Sequence, residues 1–302
     1  MKPRVAIATG DPAGIGPEIS LKAARDPRVL ELCEPVLFGD RDVLGLHGSL
    51  DGISLVHVKQ ERPKLGMVDA EHGRAALAAA EAAIRAALAG EFQAVVGAPH
   101  TEASIHAAGI EFDGYPSFVA RTCGVPADDA ILMLAFRAGE REMRIAHVTL
   151  HMPVAQAVAA ITVERVLKTI RAVHRFLSGG RIAVSGVNPH AVGHEEEAIL
   201  RPALDTARRE GIDVDGPIGA DTILQRGDPD ACIVMLHDQG HVAAKVMAPH
   251  RIAALTIGTP VLFSSVGHGS ALDIAGRGKA NPDAMREAIT RLVTRRRRAP
   301  AT

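Results

Sequence analysis

The sequence predicts an α/β protein with a three-layer α/β/α arrangement. Short β-branched runs that are typical of buried strands alternate along the chain with helical patterns. Such alternation is typical of mostly parallel sheets that are covered by helices on both faces. The 302 residues, 47% of them apolar, suffice for one large domain or two of ordinary size.

The individual elements follow from the same patterns. The most regular helix is predicted at 71–89, an alanine-rich segment that Gly90 ends. Pro17 and Glu18 are typical of a first helical turn and predict a helix over 17–25. Further helices are predicted at 118–122, 154–176 (one or two), 195–210 and 282–295. Strands are predicted at 5–9, 36–38, 53–58, 94–96, 131–135, 253–257 and 260–264, and three more end at His151, His190 and His237.

Composition excludes several classes of function. The chain carries 34 Lys and Arg against 35 Asp and Glu, so its charge gives no reason to expect nucleic acid. We interpret the run Arg295–Arg298 as a solvated, frayed tail. No segment reaches about 18 uninterrupted apolar residues, so no membrane span is predicted. Cys33, Cys123 and Cys232 show no CxxC spacing and predict reduced, mostly buried thiols in a cytoplasmic protein.

Three histidines, His151, His190 and His237, each follow a short apolar run. In open α/β sheets ligands bind at the carboxyl ends of strands, and three neutral imidazoles there would hold a divalent metal ion with positions open for substrate. Buried histidines more often serve as hydrogen-bonded core residues, so the residues alone leave both interpretations open. Asp238 and Gln239 follow His237 and can orient ligands or substrate.

Two glycine-rich segments would let the backbone approach a ligand closely. Residues 9–18 (TGDPAGIGPE) lie between a predicted strand and helix but lack the dinucleotide and P-loop spacings, so a purely structural turn is an equal alternative. In residues 268–282 (HGSALDIAGRGKANP), Asp273 can accept hydrogen bonds from ribose hydroxyls, with a plain loop as the alternative.

The segments GDPAGIGPE, NPH and HDQG together resemble the 4-hydroxythreonine-4-phosphate dehydrogenase (PdxA) family of vitamin B6 synthesis, over about residues 5–281. The resemblance implies an isocitrate/isopropylmalate dehydrogenase-like fold, with two α/β domains flanking an active-site cleft. We expect the first domain at about 1–120 plus about 270–302, and the second, with the metal ligands, at about 121–270.

The resemblance also assigns roles to the motifs. It implies that His151, His190 and His237 bind the metal ion in a homodimer whose active site is shared between the subunits. The 268–282 segment resembles the NAD loop of isopropylmalate dehydrogenases. The cofactor-binding residues that this implies are His268, Gly269, Ser270, Ala271, Asp273 and Asn281.

The chain departs from the family where the family binds phosphate. Gly114–Ser117 stand in place of Gly-His-Thr-Glu, and Thr101-Glu102 in place of a His-Lys pair. A substrate-binding Asn and Arg fall on Ala254 and Phe263, whereas Lys245 matches the family's substrate lysine. Loss of Lys and Arg removes the groups that best bind a phosphate dianion.

Four segments resemble instead the terephthalate cis-dihydrodiol dehydrogenase subgroup: APHTEASIHAAGIEFDGYPS, VTLH, MLHDQGH and SSVGHGSALDIAGRG. Those enzymes oxidise 1,2-dihydroxy-3,5-cyclohexadiene-1,4-dicarboxylate with NAD, release CO₂ and form protocatechuate. The substrate contacts that follow are Tyr115, Ser117, Asp238 and Lys245. Lys245 is also the candidate for proton transfer, and Asp221 is a weaker candidate base with a helix N-cap role as an equal alternative.

The sequence therefore predicts a decarboxylating dehydrogenase that uses NAD and a divalent metal ion, with Zn²⁺ as the expected ion and Mg²⁺, Mn²⁺ or Co²⁺ as alternatives. The first alternative substrate is 4-hydroxythreonine-4-phosphate or a related 4-hydroxythreonine or threonate. The second alternative is a non-catalytic α/β protein that binds a metal ion or ligand.

Overall fold

The computed structural model describes residues 2–249 and 251–294 and confirms the α/β class. The chain forms two compact units: Pro126–Thr259 form the second, and the described residues on either side form the first. None of the described helices is long and apolar enough to cross a membrane. The predicted Arg295–Arg298 tail lies outside the described residues.

The first unit contains a parallel sheet with helices packed on it. Its strands are β1 (Arg4–Ala8), β2 (Glu34–Gly39), β3 (Leu55–His57), β4 (Ala94–Gly97) and β11 (Phe263–Val266). Its helices are α1 (Gly16–Ala24), α2 (Pro27–Leu32), α3 (Arg41–Gly45), α4 (Ala70–Leu88), α5 (Glu102–Ala107), α6 (Tyr115–Cys123) and α12 (Asp283–Val293). The strands lie in the order β3-β2-β1-β4-β11, and every pair is parallel. The carboxyl ends of β1 and β4 therefore lie side by side.

The second unit contains a mixed sheet. Its strands are β5 (Ile131–Ala138), β6 (Arg141–His147), β7 (Ile182–Ser185), β8 (Val214–Ile218), β9 (Ala231–Val234) and β10 (Ala253–Ile257). Its helices are α7 (Val154–Ala160), α8 (Val163–Leu177), α9 (Arg201–Arg209), α10 (Ala220–Ile223) and α11 (His237–Met247). The strand order is β10-β5-β6-β9-β7-β8, in which β5 is antiparallel to both neighbours and the other pairs are parallel.

Helix α4 shows why the strongest sequence patterns succeed. Asp69 caps its N-terminus by accepting a hydrogen bond from the Glu71 amide at 2.8 Å. Ala76, Ala80 and Ile84 recur every four residues and are buried against the sheet. The helix confirms the prediction for 71–89 to within one residue at each end.

The predicted strand ends need correction. Strands β6, β7 and β9 end at His147, Ser185 and Val234, several residues before the three predicted ligands. His151 follows β6 in a bend, and His237 is the first residue of α11. The apolar runs continue beyond the strands because extended backbone remains hydrogen-bonded there, for example from the Val148 amide to the Val234 carbonyl at 2.9 Å.

Two smaller expectations are settled by the structure. Gly219, not Asp221, occupies the N-cap position of α10, so the capping alternative for Asp221 is wrong. Cys33 and Cys232 are free and buried, as predicted, and burial raises the pKa of each thiol to about 11. Cys123 is free and partly buried.

Candidate active site

His151 and His237 lie side by side in the second unit, with ring centres 5.4 Å apart. Two imidazoles on one tetrahedral zinc ion, with Zn–N distances of about 2.0–2.1 Å, place their ring centres about 5 Å apart. His237 is partly buried and His151 is exposed, so both rings are accessible from outside the single chain. The pair therefore has the spacing of two ligands of one metal ion.

Asp238 orients the ring of His237. Its Oδ1 lies 2.7 Å from His237 Nδ1, which leaves Nε2 for a ligand. A carboxylate on the far nitrogen is the usual partner of a metal-binding histidine. Because the Asp238 carboxylate is engaged with the imidazole, its predicted contact with substrate competes with this orienting role.

Two further histidines, His147 and His241, extend the cluster, although the sequence pattern did not indicate a role for them in the site. His241 stacks on His237 with ring centres 3.8 Å apart, and its Nδ1 lies 3.2 Å from His147 Nε2. Burial, and then the neighbouring rings, lower the pKa of His147 to about 3 and that of His241 to about 4, so both are neutral. His241 lies one helical turn after His237, a signal that becomes visible only once α11 is recognised.

His190 occupies a separate, unusual turn. It lies exposed in the 3₁₀ turn Pro189–Ala191 with φ 58°, a left-handed conformation that is rare outside glycine. Among residues 2–249 and 251–294, no group of three or more His, Cys, Asp or Glu residues is arranged to hold a metal ion. One chain therefore does not gather all three predicted ligands, and their contribution by two subunits stays a prediction.

The two candidate proton-transfer residues lie on helices near these histidines. Lys245 is exposed on α11, two turns after His237, and its positive charge contributes to the lowered pKa of His241, after burial and His237. Asp221 is exposed in the first turn of α10. A Cβ on Gly219 would lie 2.7 Å from the Asp221 carboxylate and 3.8 Å from His190 Cα, so Asp221 and His190 both border this glycine.

The two glycine-rich segments pack against each other in the first unit. The Ile15 amide donates to the Ser270 carbonyl at 2.9 Å, and Thr101 Oγ1 donates to Ser270 Oγ at 2.9 Å. A Cβ on Gly14 would lie 2.7 Å from Ser270 Cβ, so this approach requires glycine. The 9–18 turn therefore supports the predicted cofactor loop, a role that its own spacing did not indicate.

Helix α1 holds the far end of the same loop. Buried Glu18 accepts a hydrogen bond from the Ala280 amide at 2.8 Å and from Lys22 Nζ at 2.7 Å. Lys22 also donates to the carbonyls of Gly278 and Ala280. The sequence does not indicate either role, because a Glu–Lys pair four residues apart is also typical of exposed helix faces.

The remaining predicted cofactor residues stay accessible on this supported loop. Asp273 is exposed on the 3₁₀ turn Leu272–Ile274, which follows Ala271 with φ 42°. Asn281 is exposed and accepts a hydrogen bond from the Asp283 amide at 2.8 Å. His268 Nδ1 lies 3.0 Å from the Gly269 carbonyl. An exposed carboxylate on a fixed, glycine-rich loop fits the ribose of a dinucleotide.

Tyr115 is buried in the core of the first unit. Its side chain is 4% exposed, its hydroxyl donates to the Ala98 carbonyl at 3.1 Å, and its ring packs on Phe263 at 4.7 Å. Burial, and then Asp11, raise the pKa of its phenol. These contacts give Tyr115 a core role, and its contact with substrate stays a prediction. Ser117 is partly buried and donates to Asp113 at 2.8 Å.

His100, at the carboxyl side of β4, makes the stability of the protein depend on pH. Its ring packs edge-on against Phe112 and Tyr115, and burial lowers its pKa from 6.5 to about 4. The unfolded chain therefore binds more protons than the folded chain between these values. Stability from this site is complete above pH 6.5 and is lost as the pH falls towards 4.

We expect the unfolding free energy of the wild-type protein to fall by up to about 3 kcal/mol over this range through His100. Replacing His100 with Phe, which suits the aromatic surroundings, removes that contribution, and replacing exposed His194 with Phe does not. Urea unfolding at pH 7 and pH 4.5 measures the difference. An equal loss of stability in the wild-type and His100→Phe proteins would contradict this assignment.

Comparison with known proteins decides the family. Residues 31–292 match the family described as Pyridoxal phosphate biosynthetic protein PdxA. The chain belongs to the PdxA family. A 1,2-dihydroxy-3,5-cyclohexadiene-1,4-dicarboxylate dehydrogenase from a Comamonas species is 40% identical, with 96% of each chain covered. A 4-hydroxythreonine-4-phosphate dehydrogenase from Burkholderia vietnamiensis is 35% identical, with 98% of each covered.

Solved structures agree with this membership. A terephthalate 1,2-cis-dihydrodiol dehydrogenase from Burkholderia xenovorans LB400 is 38% identical and superposes with a TM-score of 0.73, covering 97% of this chain and 98% of that one. An isocitrate dehydrogenase from Methylococcus capsulatus shares the fold alone, at 17% identity and a TM-score of 0.51 over 97% of this chain and 85% of that one. These comparisons confirm the isocitrate dehydrogenase-like fold class, and the PdxA-family chain is an oxidoreductase.

Proposed function

We propose that this PdxA-family protein uses NAD and a divalent metal ion to oxidise and decarboxylate 1,2-dihydroxy-3,5-cyclohexadiene-1,4-dicarboxylate to protocatechuate. The observation that carries the proposal is the 40% identity, over 96% of both chains, to the Comamonas enzyme of that name. The paired His151 and His237, with Asp238 on the far nitrogen of His237, support the metal-dependent part.

The donor set fits a divalent transition metal ion. Imidazole nitrogens suit Zn²⁺, with Co²⁺ and Mn²⁺ and the harder Mg²⁺ as alternatives. When bound, the ion lowers the pKa of a substrate hydroxyl and stabilises negative charge on oxygen. His151 and His237 would hold it, with His190 as the third proposed ligand, and Asp238 would keep His237 in the ligating orientation.

The chain's own residues then bind and orient the reactants. The loop around Asp273 would hold NAD, and the chemistry that NAD would supply there is hydride uptake from the carbon that bears the secondary hydroxyl. Lys245 would attract a substrate carboxylate or exchange the hydroxyl proton. The ketone formed is β to a carboxylate, so the bond to CO₂ breaks and its electron pair enters the ring, which becomes aromatic.

The two candidate substrates differ in their phosphate group, so the residues expected to bind a phosphate distinguish between them. The position at which the family's substrate arginine is expected holds Phe263, which is fully buried in β11. Ala254 lies partly buried in β10 where an asparagine is expected. Since neither side chain can bind a phosphate, the chain favours the dicarboxylate over 4-hydroxythreonine-4-phosphate, which the Burkholderia vietnamiensis relative is named for. NADH formation with each substrate tests this choice.

We also propose that the protein acts as a homodimer whose subunits share the active site. Exposed apolar side chains follow each of the three predicted ligands in the chain: Val154, Val192, Val242, Val246 and Met247. Val246 is 77% exposed on α11, the helix that begins at His237. Large exposed apolar side chains near a site are typical of a surface that a second subunit covers. A cytoplasmic location stays a prediction.

Replacing Val246 with Glu is expected to shift the dimer to monomer and to lower activity, because a charge would be buried in the interface. Size-exclusion chromatography with light scattering measures the mass. Replacing Leu88 with Glu is the matched control, since Leu88 is 47% exposed at the end of α4 in the first unit. A Val246→Glu protein that stays dimeric would contradict the proposed interface.

A further inference from the structure

Glu196 places a fully buried carboxylate directly beneath the turn that carries His190. Its Oε1 accepts hydrogen bonds from the amides of Val187 at 2.7 Å and Asn188 at 2.9 Å. Its Oε2 accepts from Asn188 Nδ2 at 2.8 Å. These are the two residues immediately before Pro189 and His190, so the carboxylate holds the backbone that enters the turn.

The surroundings of Glu196 are shaped to receive this carboxylate. A Cβ on Gly186 would lie 3.0 Å from its Oε1, and a Cβ on Gly193 would lie 2.9 Å from its Oε2. Glu196 also opens a π-helical segment, Glu196–Leu200, before α9. π-Helical segments are rare in proteins, and those that occur are often found at functional sites. Gly186 and Gly193 leave space on both sides of the Glu196 carboxylate, and the π-helical turn is wider than an α-helical turn. Together these features accommodate the charged group inside the fold.

The turn needs such support because its backbone is strained. His190 and Ala191 both adopt positive φ, at 58° and 54°, although neither is glycine. The same loop is joined to the amino end of α11, because Gln239 Nε2 donates to the Gly186 carbonyl at 3.1 Å. Gln239 Oε1 in turn accepts from the amides of Met235 and Leu236. The segments that carry His190 and His237 are thus linked through polar side chains.

We infer that Glu196 is a positioning residue that sets the orientation from which His190 binds the metal ion. The inference rests on the proposed metal-dependent function. A purely structural anchor would stabilise the fold without affecting ligand geometry. A carboxylate that fixes the two residues before a strained histidine acts on that geometry directly, because charge-assisted hydrogen bonds to the backbone leave little freedom.

The test compares metal binding by the full-length protein in four forms: wild type, His190→Ala, Glu196→Gln and Glu197→Gln. Glu197 is the matched control, since it lies in the same π-helical segment but is exposed and pairs with Arg201 at 2.8 Å. Calorimetric titration with Zn²⁺ gives the affinity, and the visible spectrum of bound Co²⁺ reports ligand geometry. We expect Glu196→Gln to weaken binding by about 10- to 100-fold and to change the Co²⁺ spectrum.

The outcomes separate the inference from the function on which it rests. If the wild type binds no metal, or His190→Ala binds as tightly as the wild type, the proposed function itself fails. If His190→Ala is impaired while Glu196→Gln matches Glu197→Gln in affinity and spectrum, only the positioning role fails. NAD affinity of folded Glu196→Gln should equal that of the wild type, because the proposed NAD loop belongs to the first unit.

A second variant decides the matter if Glu196→Gln does not fold. Asn188→Ser removes the side-chain bonds from Asn188 Nδ2 to Glu196 Oε2 and to Glu195 Oε2, but keeps both amide bonds to Glu196 Oε1. We expect it to fold and to weaken Zn²⁺ binding by about 3- to 10-fold, since one of the three bonds to Glu196 is lost. Wild-type affinity together with a wild-type Co²⁺ spectrum in Asn188→Ser would overturn the inference.

Discussion

Replacing His237 with Ala is expected to abolish metal-dependent NADH formation, with kcat/KM lower by about 10³-fold or more. The reason is that the substitution removes one ring of the His151–His237 pair, whose 5.4 Å spacing suits one metal ion. Loss of metal-based charge stabilisation costs several kcal/mol in the transition state. Steady-state kinetics with added Zn²⁺, together with the bound metal content, measure the effect.

Two controls show that the loss is specific. His194→Ala changes an exposed histidine in the same unit and should leave activity unchanged. Asp238→Asn keeps the ring of His237 but weakens its orienting contact, so we expect a loss of about 10- to 100-fold in metal affinity or activity. A His237→Ala protein that keeps both metal and activity would exclude the proposed site.

Replacing Asp273 with Ala is expected to raise the KM for NAD by about 10- to 100-fold and to leave the KM for the dicarboxylate unchanged. The carboxylate is exposed on the turn Leu272–Ile274, where it can accept hydrogen bonds from ribose. A hydrogen bond to a charged group contributes about 1.5–3 kcal/mol. Kinetics with each substrate varied in turn separate the two constants.

The matched control is Asp42→Ala, which removes another exposed carboxylate from the first unit, in the first turn of α3. It should change neither KM. Equal increases in both constants for Asp273→Ala would indicate general damage to the fold and would contradict the cofactor assignment.

The sequence predicted elements whose signals are local. Helix α4 was predictable because its alanine-rich stretch is bounded by Asp69 and Gly90. Helix α11 is hard to recognise in the sequence because Gly240, Val242 and Val246 weaken its helical propensity. The preceding apolar run therefore predicts a strand that ends at His237. Once a helix begins at His237, a stacked histidine one turn later follows from helix geometry.

Roles that depend on distant parts of the chain were not predictable in this way. Tyr115 is buried because Phe263 of β11 packs against it, and no sequence pattern around residue 115 predicts that contact. Glu196 lies in an acidic triplet that resembles a solvated turn, yet it is buried by the backbone of 187–188. In both cases the role of the residue depends on tertiary contacts, which the local sequence pattern does not indicate.

The central claim is that this PdxA-family protein is a dehydrogenase for a cyclic diol dicarboxylate. The most direct measurement is NADH formation by the metal-loaded protein with 1,2-dihydroxy-3,5-cyclohexadiene-1,4-dicarboxylate and, separately, with 4-hydroxythreonine-4-phosphate. We expect kcat/KM to be at least about 10³-fold higher for the dicarboxylate, because buried Phe263 and partly buried Ala254 provide no phosphate ligand. A chelator should abolish the activity. Turnover of the phosphate ester alone would contradict the substrate assignment, and no NADH from either compound would contradict the dehydrogenase itself.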